Sequence, residues 1–288
     1  DAIERLQNLK AVLVVPFIHR KHINGLLILK EKLTRTGFSS EDMAILTILS
    51  GQAAIAIENS RLHSEFLKKQ EIEKELGFAR QIQNNLLPRE LPQNDIFECA
   101  GYNLPSREIG GDYYDFISLT PDKTGIAIGD ISGKGIPAAI LMSNLQAALR
   151  ISSAREKKTS KVMELVNHHI TNTTSAEKFA TFFYSILNTK KMELEYTNAG
   201  HNYPILFREG QPPRIMKISN VIIGVRDSFS YNSNRVSLQP GDMLLLYTDG
   251  VTEARSPLGE EYGETRLIRT AEETIRRAAH EAINHILN

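Results

Sequence analysis

The stretch from Glu58 to Leu91 constrains the rest of the chain most. It holds six acids and six bases, one glycine (Gly77) and no proline before Pro88. Leu62, Phe66, Ile72, Leu76, Ala79, Ile82 and Leu86 make a narrow apolar stripe whose phase slips between Phe66 and Ile72. Such a segment is expected to be one continuous helix with a stutter, pairing with a second copy of itself or with a neighbour. A solvated connector helix is the plainer alternative. LLPRELP (86–92) closes it, since each proline blocks helical continuation. The helix divides the chain of 288 residues into 1–60, 61–91 and 92–288.

Composition then removes several classes of function. Lys plus Arg and Asp plus Glu are both 34, so the formal charge is 34 − 34 = 0. A neutral chain does not attract a dense phosphate array, which argues against a general nucleic-acid binder or a polybasic membrane-surface protein. Hydrophobic residues at 41% and charged residues at 24% suit a globular chain with a real core. The single cysteine, Cys99, permits no intramolecular disulfide and no cysteine-based zinc cage. The apolar runs Ala11–Ile18 and Met243–Tyr247 are far shorter than the ~20 residues of a membrane span, and DAIERLQNLK lacks the pattern of a signal peptide. The expectation is a cytoplasmic protein. With no initiating Met, a fragment of a longer chain is expected.

Residues 1–60 read as strand, turn, strand, turn, helix. AVLVVPFI (11–18) and GLLILK (25–30) flank the polar HRKHIN in a hairpin-like pattern. Ser39 with Asp42 fits a capping box, after which Met43, Leu46, Leu49, Ala53 and Ala56 recur at helical spacing. Two strands and a helix bury little surface alone, so this segment reads as the end of a domain.

Residues 93–288 mix strands and helices. IFECAGYNL (96–104), TGIAIGD (124–130), KFATFFYSILN (178–188), MELEYTNAG (192–200), YPILFRE (203–209) and DMLLLYTD (242–249) read as strands. PAAILMSNLQAALRIS (137–152), SKVMELVNHHITNT (160–173) and one helix from Glu264 to Asn288 read as helices, with Pro137 favourably in a first turn. Strands come in runs, which favours an α+β sandwich over a doubly wound sheet. The last helix meets no Gly or Pro stop, so the chain is expected to be cut there.

Three segments carry candidate chemistry. GGDYYDF presents Asp112 after two glycines; GIAIGDISGKG drives an apolar strand into Asp130, and MLLLYTDG drives another into Asp249. A carboxylate at the end of a buried strand loses water at a cost of several kcal/mol unless a cation or hydrogen bonds replace it. Three of them with small glycine neighbours suit a hard cation such as Mg²⁺ or Mn²⁺. A water between two such ions is a ready nucleophile for phosphoester hydrolysis. Taken singly, an Asp after a strand is more often a turn former or a cap. GDISGKG fails as a phosphate loop, because Gly129 and Lys134 are wrongly spaced and Gly135 stands in place of Ser or Thr. GGDYYDF resembles the GGDEF signature of diguanylate cyclases, but Tyr113 and Tyr114 replace its acidic residue.

Read in order, REIGGDYYDF (107–116), IGDISGKGIPAAILM (128–142), NAGHNYPIL (198–206) and LLLYTDGVTEA (244–254) resemble the bacterial PPM-type serine/threonine phosphatases of the SpoIIE-like branch, which regulate sigma factors. The resemblance implies a central β-sandwich flanked by helices, with a two-metal site at one end holding two, or three, Mn²⁺ or Mg²⁺ ions. By position, Asp112 resembles a ligand of one metal, Asp130 the bridge between both, the Ile131 carbonyl a backbone ligand, and Asp249 a ligand of the other metal. The expected nucleophile is metal-bound water, with no catalytic side chain and no phosphoenzyme. His201 and Asn202 match a GHN turn of mainly structural role, with a neutral His base as the alternative. Lys134 and Arg107 are candidates to face a phosphate, against a solvated or ion-paired role.

Residues 11–66 similarly resemble the C-terminal half of a GAF domain, a small-ligand sensor module that the family commonly joins to the phosphatase through such a helix. The resemblance implies a phosphoprotein substrate (typically an anti-sigma-factor antagonist) and a small sensor ligand, while the apolar stripe of the helix points to a homodimer through it. The sensor would act by shifting that helix between packings. One departure stands out: the family's closing strand with its Asp-Asp-x-Thr metal ligand has no counterpart here, and Glu272, Glu273 and Glu281 read as the wet face of the last helix. A non-catalytic signalling adaptor on the same fold is therefore the rival expectation.

Overall fold

A computed structural model describes residues 4–5, 8–88, 91–92, 96–105, 109–133, 135–174 and 178–288. The chain divides into two compact units, 1–75 and 76–288. Among the described residues no helix is long and apolar enough to cross a membrane.

In the first unit, β1 (Leu13–His19) and β2 (His22–Leu29) form an antiparallel hairpin, with Leu13 opposite Leu29 and His19 opposite His22. Helix α1 (Ser40–Leu86) begins here. The expected capping box is formed: Asp42 N–H donates to Ser39 Oγ (3.2 Å) and Ser39 N–H to Asp42 Oδ2 (2.6 Å). Lys32, which also hydrogen-bonds to Asp42, is the main cause holding that carboxyl down at about 2. The helix runs unbroken through the stutter, and the division between the units falls within it.

The second unit is a layered α+β sandwich. Strands β3 (Tyr113–Thr120), β4 (Lys123–Ile131), β5 (Ala180–Asn188), β6 (Glu193–Ala199) and β9 (Asn234–Ser237) form one antiparallel sheet in that order. Strands β7 (Ile205–Phe207), β8 (Arg214–Ile215) and β10 (Met243–Leu245) form a second, ordered β10-β7-β8. Alternation along β5 shows how two faces are filled at once. Phe182, Tyr184 and Ile186 join Leu145, Leu149, Val166 and Ile170 from helices α2 (Ile136–Arg155) and α3 (Thr159–Thr173). Phe183 and Leu187, pointing the other way, meet Leu206 of the second sheet and Met216 just after β8. Ile205 and Phe207 then pack on Leu267 and Ala271 of helix α5 (Glu264–Glu272). Helix α4 (Asp249–Thr252) is a single turn.

Three expectations need correction. Ile96–Leu104 forms no ladder strand, and Tyr102 and Leu104 are exposed. β10 stops at Leu245, so Asp249 opens α4 rather than ending a strand. The terminal helix is two helices, α5 and α6 (Ala279–Leu287). Buried Thr274 turns its hydroxyl onto Ala271 O (2.7 Å) and its N–H onto the same carbonyl, so the α-helical ladder closes there.

A buried charge braces the sheet against α2. Asp115 on β3 is fully buried and receives Arg150 Nε (2.8 Å), Arg150 Nη2 (3.0 Å) and the Tyr113 hydroxyl (2.8 Å). A carboxylate so enclosed is tolerable only because every approach to it is a donor.

Candidate metal centre

The antiparallel register of β3 and β4 pairs Tyr113 with Gly129, which brings Asp112, just before β3, beside Asp130, one residue from the end of β4. Gly111 makes the approach possible. A Cβ there would meet the Ile131 carbonyl oxygen at 2.7 Å and Asp130 Oδ1 at 3.3 Å, so a side chain would occupy the space between the two segments.

Asp249 arrives from the second sheet. Its charge is felt by both other acids: burial first, then Asp130 and Asp249, push the Asp112 carboxyl up to about 6. The Thr248 side chain offsets part of that rise. Asp130 is raised by burial and then by Asp249, with Glu253 adding to the effect. Carboxylates that raise one another's proton affinity form a negative locus that a cation would relieve. The donors are all oxygen, half-buried at Asp112 and Asp130 and exposed at Asp249. This suits an ion that keeps several of its waters. Among the described residues no three His, Cys, Asp or Glu side chains close into a cage able to hold a metal. The donor set fits a hard divalent cation; it is open rather than prefolded around one.

The GHN turn is held by the side-chain amide of Asn198. Asn198 Nδ2 donates to His201 O (2.9 Å) and His201 N–H donates to Asn198 Oδ1 (2.7 Å). Gly200 sits at φ 70°, where a Cβ would meet Ile222 Cγ2 at 2.3 Å. The His201 ring is buried with Nδ1 2.9 Å from Thr181 Oγ1, and burial pulls its pKa down to about 4. Its Nε2 is buried without a hydrogen-bond partner among the described residues, and the Tyr247 backbone offsets part of the fall in its pKa. A cleft of about 420 Å³ opens beside this turn, bordered by His201, Asn202, Tyr247, Thr252 and Glu264. None of the three aspartates lines it.

Sequence reasoning therefore named acids that the fold brings into electrostatic contact, together with the Ile131 carbonyl. Lys134 and Arg107 lie outside the described residues. Thr248 and Glu253 escaped notice, although one precedes Asp249 and the other follows it by a helical turn within DGVTEA.

A helix-flanked pair of antiparallel sheets, with acids brought together from the β3 and β4 ends and the start of α4, defines a PP2C-type phosphatase fold. Residues 120–288 match the family profile of stage II sporulation protein E (SpoIIE), and residues 2–57 match the GAF domain. The chain belongs to the SpoIIE family of phosphatases, with a GAF domain at its N-terminus. It is 29% identical to phosphoserine phosphatase RsbU of Bacillus subtilis over 84% of this chain and 70% of that one. It is 27% identical to phosphoserine phosphatase RsbP of Bacillus subtilis over 62% of this chain and 45% of that one. Among solved structures, the SiaA PP2C domain of Pseudomonas aeruginosa superposes with a TM-score of 0.65 at 20% identity, covering 76% of this chain and 89% of the other.

Proposed function

We propose that this chain is a metal-dependent protein phosphatase that removes phosphate from phosphoserine or phosphothreonine on a signalling partner. The observation that carries the reading is the convergence of Asp112 and Asp130 across the β3–β4 ladder, with Gly111 against the Ile131 carbonyl and Asp249 within electrostatic reach. Asp112 would serve one ion, Asp249 a second, and Asp130 both, with the Ile131 carbonyl as a backbone donor. Two Mn²⁺ or Mg²⁺ ions are our reading. When bound, such ions draw charge from the phosphoryl oxygens and acidify the attacking water. The chain's own part is to hold the carboxylates together, to position the phosphoester at the open strand ends, and to keep side-chain nucleophiles out of the reaction. His201 is buried and tied into its turn, which supports a structural role for it.

The similarity to RsbU and RsbP supports a phosphorylated anti-sigma-factor antagonist as the substrate class, and the GAF match supports a small ligand as the input. In our reading residues 1–60 are the sensor segment, 61–91 the linker that also pairs two copies, and 92–288 the phosphatase, all in the cytoplasm. Signal would pass along α1.

A non-catalytic adaptor is the competing reading, favoured by the lack of a ready-made cage among the described acids. Hydrolysis of a phosphoserine protein with added Mn²⁺ separates the two. Turnover that requires Mn²⁺ and falls at least ~100-fold in Asp130→Asn is expected, since in this reading that residue would serve both ions. Wild-type protein that holds Mn²⁺ yet releases no phosphate would favour the adaptor.

A further inference from the structure

Gln83 lies in the last turn of α1, in a stretch that sequence alone assigns to a linker, yet it is only 5% exposed. Its amide makes a reciprocal pair with one residue of the metal-site loop. Nε2 donates to Gly110 O at 2.7 Å, and Gly110 N–H donates to Oε1 at 3.2 Å. The same Nε2 is 3.2 Å from Met142 Sδ on α2. Both polar ends of the side chain are thus used, and the peptide they hold is two residues from Asp112.

The loop needs such a hold. Gly110 and Gly111 are consecutive, and a glycine pair has no side chain to restrict its backbone. Gly111 must lack a Cβ to sit against Ile131 O and Asp130 Oδ1. That backbone freedom acts to open the site, and a pair of buried hydrogen bonds opposes it.

We propose that Gln83 is a positioning residue for the metal centre: its side-chain amide clamps the Gly110 peptide and thereby sets the Asp112 carboxylate opposite Asp130. This rests on the metal-site reading given above. Gln146 provides an internal control, because its amide donates to Leu86 O and so fastens the same helix end to α2 without touching the loop.

The test is Mn²⁺ titration by calorimetry on the full chain, with thermal unfolding and phosphatase kinetics on the same samples. Wild type, Gln83→Met and Gln146→Met are compared; Gln83→Ala, which removes the same amide without filling the space, replaces Gln83→Met should that variant unfold. Loss of a group that orients a ligand typically weakens a metal by 10- to 100-fold, so the Gln83 variant is expected to raise the Mn²⁺ Kd by at least ~10-fold. Its kcat at saturating Mn²⁺ is expected to stay within about twofold, because a site once filled is the same site. Gln146→Met is expected to lower the melting temperature and leave the Mn²⁺ Kd unchanged. An unaltered Kd in the Gln83 variant, or an equal weakening in Gln146→Met, overturns the clamp while the metal-site reading stands. Absence of Mn²⁺ binding by wild type removes the metal-site reading itself, and the clamp with it.

Discussion

The two units handle apolar surface in opposite ways. In residues 76–288 Leu145, Leu149, Val166, Phe182 and Phe183 are fully enclosed, and three clusters fill the spaces between successive layers. Among the described residues before Glu75, only Val15 and Ala54 are buried apolar side chains, while Ile18, Ile23, Leu26, Ile48, Leu49 and Ile55 are each more than half exposed. The contrast follows from geometry. A sheet with helices on one face and a second sheet on the other buries both sides of every strand. A hairpin with one helix has a single shallow contact and is marginal by itself. The phosphatase unit therefore carries its own stability, whereas the sensor unit presents apolar side chains that a further surface can cover.

The largest effect expected on this contrast comes from Leu145→Ala in α2. Leu145 is completely buried between α2 and the five-stranded sheet. Truncation there should cost about 3–4 kcal/mol, combining lost transfer energy with the cavity left behind. Urea denaturation followed by a probe in the second unit measures it. A loss below about 1 kcal/mol would mean that this core is loosely packed, and the comparison would fail at its stronger side.

Much of the second unit was legible because its periodicities are clean. β4, β5, α2 and α3 lie within a few residues of their expected bounds, since each buries a face whose spacing shows in the sequence. The pairing of Asp112 with Asp130 was legible through motif order, and antiparallel pairing supplies its physical cause. Local competition decided the misses. The break between α5 and α6 depends on one threonine hydroxyl choosing a carbonyl three residues back, which no apolar rhythm reveals. Ile96–Leu104 has strand composition but forms no extended strand, with a single bridge at Phe97. Gln83 was read as linker because its partner is 27 residues away, and a polar residue on an apolar stripe was the only clue.

A smaller effect separates the units by pH. Free histidine takes up a proton near 6.5, whereas buried His201 resists doing so until about 4, chiefly because burial disfavours its charge. Between those values the unfolded chain binds more protons than the folded one, so stability falls as pH drops through that window. The full loss at pH 4 is on the order of 3 kcal/mol, an upper figure for a group that the fold is free to relax around. The difference in stability between wild type and His201→Gln, measured from pH 7 to pH 4, should show this slope, because Asp112, raised to about 6, contributes with the opposite sign over the same range. A slope unchanged by the substitution would move the acid sensitivity to other groups and blur the contrast.

The smallest effect is the most informative about the weaker side of the comparison. Ile48 on α1 is 64% exposed, so removing most of its side chain deletes little buried area. Alanine is also the better helix former, by a few tenths of a kcal/mol, because isoleucine loses χ1 freedom against the preceding turn. The two terms nearly cancel, and Ile48→Ala should change stability by no more than about 0.5 kcal/mol. A cost of about 2 kcal/mol would show that the side chain is covered in solution. Dependence of that cost on protein concentration would then identify the cover as a second copy of the chain, because only an association equilibrium carries concentration into stability.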